Sequence, residues 1–231
     1  MLSFRSTLPL LVILGLHGFT YAGDRPLATK GEPILSNNFG GSLKRGEIVE
    51  LGQGWQRRVS FGTWTIQPDG SVTAANVPGE GHGPVLTFLK PMKNIIIECE
   101  FMIPASPEEN RHFRIFLDEE GFRGHNIQST ANVSSVFRPV GFTLQHLRKD
   151  ENQATVQNVD IGPVDLELKP NTWYTLRLDV LGDQAWTTVA GKTLTMEHPV
   201  LRVDKNKIGL NPGIAGGTIR NFKAWAVKNG R

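Results

Sequence analysis

Two glutamates one residue apart, Glu98 and Glu100, are the pair in this chain best spaced for acid–base chemistry. They fall in residues 94–103, Asn-Ile-Ile-Ile-Glu-Cys-Glu-Phe-Met-Ile. Strand side chains alternate between two faces. Ile95, Ile97, Cys99, Phe101 and Ile103 therefore share an apolar face, and Ile96, Glu98, Glu100 and Met102 share the other. Positions two apart on a strand lie about 7 Å apart at the backbone. Carboxyl pairs in glycoside hydrolases are separated by roughly 5 to 9.5 Å. A carboxyl raised in pKa within such a pair can donate a proton to a leaving group. The same spacing also describes the solvated face of a half-buried strand.

Other polar pairs extend the pattern. Residues 111–118 alternate Arg111, Phe113, Ile115 and Leu117 with His112, Arg114, Phe116 and Asp118. Residues 140–147 carry Thr143 and Gln145 in the same i, i+2 relation. If the strand holding His112 and Arg114 lies beside the one holding Glu98 and Glu100, these groups form one patch. The Arg114 fork matches a pair of sugar hydroxyls or a carboxylate, and Gln145 donates and accepts at once. The alternative is an ion pair between Arg114 and either glutamate on an open sheet, worth little. Trp55, in a loop of Gly, Gln and Arg, is the tryptophan placed to stack on a sugar ring; Trp64, Trp173 and Trp225 alternate as core residues do.

No cofactor is expected. Asp118, Glu119 and Glu120 before Gly121 offer the oxygen ligands that Ca²⁺ takes, with a plain acidic turn as the alternative. His82, His125, His146 and His198 have no metal-ligand spacing.

The elements that must position these groups are strands. About a dozen alternating runs are separated by turn signals, and no long segment has helical period. The clearest hairpin joins residues 62–67 and 71–75 through Asp69-Gly70. Residues 122–139, rich in Asn, Ser and Arg, read as a long polar loop. The fold class that follows is all-β, a two-sheet antiparallel sandwich or jelly roll. Cys99, Phe101 and Ile103 are expected between its sheets.

Length and composition bound the rest. The chain has 231 residues and a formal charge of +3, too balanced for a nucleic-acid footprint. Residues 1–22 have the charged start, apolar core and small-residue cut of a secretory signal. The apolar run Leu8 to Leu16 is far below the roughly 20 residues of a membrane span, so a secreted or periplasmic chain without a transmembrane segment is expected. Residues 23–46 read as an extended lead-in anchored by Ile34, Leu35 and Phe39, and residues 47–231 as one sandwich domain. The lone cysteine, Cys99, sits on the apolar face, as a buried inert thiol does.

The order of motifs resembles the concanavalin A-like lectin/glucanase superfamily. Within it the chain is most similar to the secreted 3-keto-disaccharide hydrolase domain, a family 16 glycoside hydrolase-like group. The resemblance rests on Gly62-Thr63-Trp64-Thr65-Ile66-Gln67-Pro68-Asp69-Gly70, on the acidic-aromatic strand at residues 94–102, on Gly141-Phe142-Thr143-Leu144-Gln145, on Asn171-Thr172-Trp173-Tyr174, and on the closing Arg220-Asn221-Phe222. Thr143 stands where that family carries Glu, and no third acid follows Glu100 at Met102 or Ile103. The resemblance implies hydrolysis of a glycosidic bond in a sugar derivative, with Glu98 and Glu100 as catalytic candidates. His112, Arg114, Thr143, Gln145 and Trp55 are the candidate ligand contacts. A non-catalytic carbohydrate-binding module and a structural or interaction sandwich of a cell-surface assembly are the alternatives.

Overall fold

A computed structural model describes residues 28–36, 39–108, 111–120, 124–134, 141–148 and 159–228. The expected signal segment, residues 1–22, lies outside them. In chain order the described strands are β1 Thr29–Ser36, β2 Ile48–Gly52, β3 Trp55–Phe61, β4 Thr63–Ile66, β5 Val72–Ala75, β6 Val85–Met92, β7 Ile95–Met102 and β8 Arg111–Asp118. They continue with β9 Gly124–Ser134, β10 Gly141–Arg148, β11 Val159–Val164, β12 Trp173–Leu181, β13 Gln184–Val189, β14 Lys192–Glu197, β15 Lys205–Asn211 and β16 Gly217–Lys228. A short 3-10 turn, Pro199–Arg202, precedes β15. No described helix is long and apolar enough to cross a membrane.

The strands form two antiparallel sheets. The first runs β14-β13-β12-β7-β16-β5-β4, with β1 also paired to β16; the second runs β11-β10-β9-β8-β15-β6-β3-β2. The architecture is the expected two-sheet sandwich. The inner faces meet through aromatic pairs, one ring from each sheet: Phe101 stacks on Phe113 at 4.6 Å, and Phe88 on Phe222 at 4.5 Å. Cys99, Phe101 and Ile103 are buried in this core as the alternation predicts. Leu35 and Phe39 are buried as well, and the segment expected as a lead-in supplies β1.

Two expected loops are strands. Residues 53–58 turn only briefly before β3 begins at Trp55. Most of the expected loop at 122–139 is β9, which pairs with β8 on one side and β10 on the other. Its side chains from Asn126 to Asn132 are buried on both faces. Polar residues occupy both faces, so β9 has no apolar period to announce it. On the inner face Ser129 Oγ meets Thr187 Oγ1 of the opposite sheet at 2.7 Å, which satisfies both hydroxyls in the core.

The neighbours of β7 are β12 and β16, whereas those of β8 are β9 and β15. The strand of Glu98 and Glu100 and the strand of His112 and Arg114 thus belong to different sheets. Each turns its polar set away from the shared core, so the two sets lie on opposite outer surfaces of the sandwich. The single patch expected from adjacency does not form.

Candidate functional site

The register of the second sheet assembles a polar outer face. Phe113, Ile115 and Leu117 of β8 point into the core, which turns His112, Arg114, Phe116 and Asp118 outward. Cross-strand pairing then aligns Arg58, Thr87, Gly209, Phe116, Gln128 and Gln145 in one rung across six strands. At the usual strand spacing this rung is about 24 Å long. The next rung holds Asn211, Arg114, Thr130 and Thr143. Four of the expected contacts, His112, Arg114, Thr143 and Gln145, therefore share this face. A groove of about 300 Å³ opens where β3, β6, β15 and β8 meet, with Arg58, Thr87, Arg114, Phe116 and Asn211 among its walls.

Side chains in this face are fixed by one another. Arg114 Nε donates to Thr130 Oγ1 at 3.1 Å, and Gln128 Nε2 to Gln145 Oε1 at 2.8 Å. His112 Nε2 donates to Asn211 Oδ1 at 2.9 Å, an oxygen that also accepts the Gly213 N–H. The Asp118 carboxylate is buried between Lys207 at 2.8 Å and His125 Nδ1 at 3.0 Å. The His125 and Phe116 rings pack at 4.3 Å. Strand-borne groups held this way keep their geometry before any partner arrives.

Some of the buried polar atoms have no partner among the described residues. They include Gln128 Oε1, both side-chain polar atoms of Asn132, and Thr143 Oγ1. A buried group left so costs about 1 to 3 kcal/mol. These four atoms lie on β9 and β10, beside β8, the strand that walls the groove.

The other expected site residues lie elsewhere. On the outer surface of the first sheet, Lys30 Nζ binds Glu98 at 2.9 Å. Glu100 accepts from Arg220 Nε at 2.7 Å and from Asn221 Nδ2 at 2.6 Å. A bulge in β16 makes the second grip possible: Asn221 adopts φ 53° there, and Phe222 still points into the core. The Asn221 hydrogen bond, followed by that of Arg220, holds the Glu100 carboxyl below its ordinary range. A general acid needs the opposite shift.

Trp55 is only 1% exposed, with its ring in the core, so it is closed to an outside sugar ring. Trp173 and Trp225, expected in the core, lie on the first sheet's outer surface instead. The Arg220 guanidinium sits 4.1 Å from the Trp173 ring, and Lys30 Nζ 3.9 Å from that of Trp225. Asp118, the first acid of the expected Ca²⁺ turn, is occupied by Lys207 and His125. Among the described residues no group of three or more His, Cys, Asp or Glu could hold a metal ion.

Sequence reasoning missed Arg58, Lys207 and Asn211, and missed Gln128 and Asn132 of β9. Arg58 was hidden because its strand was read as a loop. The signal that could have exposed β9 is the alternation Gln128, Thr130, Asn132, a polar period of two.

No protein-family model and no curated protein matches the chain. Solved structures do match its fold. The CBM2 module of the evolved Dit of Lactobacillus casei BL23 phage J-1 superposes with a TM-score of 0.54 at 11% identity, over 87% of this chain and 98% of that one. The carbohydrate binding module CBM66 from Bacillus subtilis gives 0.52 at 11% identity, over 75% and 96%. A sialidase gives 0.51 at 8% identity, over 75% of this chain but 17% of its own. At such identities the likeness is one of fold. It agrees with the expected two-sheet antiparallel sandwich.

Proposed function

We propose that this chain is an exported carbohydrate-binding domain that takes its saccharide on the outer face of the second sheet. The observation that carries the reading is the pair of rungs centred on Arg114 and Gln128. They place fixed donors and acceptors beside a groove, and buried polar atoms beside them have no partner among the described residues. Sugar hydroxyls need that kind of fixed, two-way hydrogen bonding. The fold shared with CBM66 agrees with it.

The hydrolase reading rests on the motif resemblance. Against it, its two carboxylates stand on the far surface, each held by a cation, and Glu100 is kept ionised.

A glycan array run beside a hydrolysis screen on 3-keto and ordinary disaccharides tests the proposal. Binding without turnover is expected. Arg114→Ala should then weaken affinity by about 1 to 3 kcal/mol, the cost of unmet partners. Turnover that Glu100→Gln abolishes would replace the binding reading with the hydrolase one. An array with no bound glycan would leave a structural or interaction sandwich.

A further inference from the structure

Resting on that reading, we infer that the saccharide is acidic, and that Arg58 and its cationic neighbours in the groove receive its carboxylate. The charged side chains lining the groove are Arg58, Arg114, Lys207 and Asp118. Lys207 and Asp118 already pair at 2.8 Å. Glu80, on the loop that carries His82, is bonded to Arg45 and to the Gly62 N–H. A cation such as Arg58 at the edge of a recess between low-dielectric walls attracts an anion and adds nothing for a neutral sugar.

The shape agrees with the charge. Arg58 is exposed, and across Thr87 from it lies Gly209, whose missing side chain lets the Phe116 ring lie over the strand. Phe116 forms the far wall. At the Arg58 end the half-buried Phe61 ring and the exposed His82 ring stack at 4.6 Å, and both line the groove. A pyranose ring could rest on that pair while its carboxylate reaches Arg58. The guanidinium fork matches a carboxylate with two parallel hydrogen bonds. A neutral sugar offers only hydroxyls.

The test compares polygalacturonate and alginate with methyl-esterified polygalacturonate, the same backbone with its charge removed. Isothermal titration of the full chain should show the acidic polymers binding at least about tenfold tighter, the worth of one charge-assisted contact. Arg58→Gln should erase that preference without shifting the melting temperature, because the side chain is exposed. Lys223→Gln, an exposed charge on the other sheet, should leave it intact. If both variants lose affinity alike, the attraction belongs to the chain's overall charge and the inference falls. If acidic and esterified polymers bind equally and Arg114→Ala weakens both, the saccharide site stands and its acidic preference falls. If neither kind of polymer binds, the acidic assignment is wrong, and the glycan array separately decides whether any saccharide is taken.

Discussion

A side chain on Gly209 would collide with Phe116: a Cβ placed there would stand 1.9 Å from the ring. The ring of β8 thus lies across the backbone of β15, and only glycine permits it. Gly209→Ala should cost about 1 to 3 kcal/mol, as overpacking does, and should push the ring into the groove. Saccharide affinity is expected to fall with it. Pairing Gly209→Ala with Phe116→Leu should recover part of the stability, since neighbours in contact couple. Thermal melts of the two single variants and the double one check this; purely additive losses would mean the ring does not rest on Gly209.

Glu98→Gln and Glu100→Gln should leave saccharide binding unchanged, because both carboxylates face away from the groove. Each ion pair is partly exposed, so the stability change should stay within about 1 kcal/mol. Titration calorimetry on the ligand found by array decides; a clear loss of affinity in either variant would place the site on the first sheet.

Glu100 also makes an acid-side prediction. Its hydrogen bonds from Asn221 and Arg220 hold the folded carboxyl below the ordinary 4.5. As pH falls, the unfolded chain takes up this proton first. The contribution of Glu100 to stability is therefore full above about 4.5 and is lost as pH drops through the folded value. Urea midpoints across this range should fall less steeply for Glu100→Gln than for the natural chain.

Lys205 supplies the alkaline counterpart. Its side chain is fully buried, and Nζ donates to the carbonyls of Leu201, Val203 and Lys93 at 2.7, 2.9 and 3.2 Å. Burial lowers its pKa from 10.5 to about 8. The folded chain releases this proton before the unfolded chain does, so stability from this group rises with pH between about 8 and 10.5. That rise should be absent in Lys205→Met, whose stability at neutral pH should also drop as the carbonyls lose their donor. Urea unfolding at neutral and alkaline pH reads both effects.

Cys99 is 1% exposed at the centre of the first sheet. Burial, with the charges of Glu98 and Glu100 on the same strand, pushes its thiol well above the ordinary value. Thiol reagents should label it only as fast as the chain unfolds, since the thiolate is the reactive form. Rapid labelling of the native chain would contradict the packing of β7 against the opposite sheet.

What the sequence by itself determined is local. The alternation in residues 94–103 and 111–118 and the Asp69-Gly70 turn identified strands, a hairpin and the inward residues, because strand periodicity and turn chemistry are written in adjacent positions. It also put His112 with Arg114, and Thr143 with Gln145, on common strand faces. Which strands lie side by side is not written there. Glu98 and Arg114 each point outward from an apolar strand, and the local pattern is the same whether their strands are neighbours or sit in opposite sheets. Only the tertiary pairing of β7 with β12 and β16 separated them. Long-range packing likewise decided β9, whose polar faces are buried by neighbours distant in sequence, and Trp55, whose loop-like surroundings fold into a strand with its ring in the core. The groove is the product of β3, β6, β15 and β8 in register, and no window along the chain contains it.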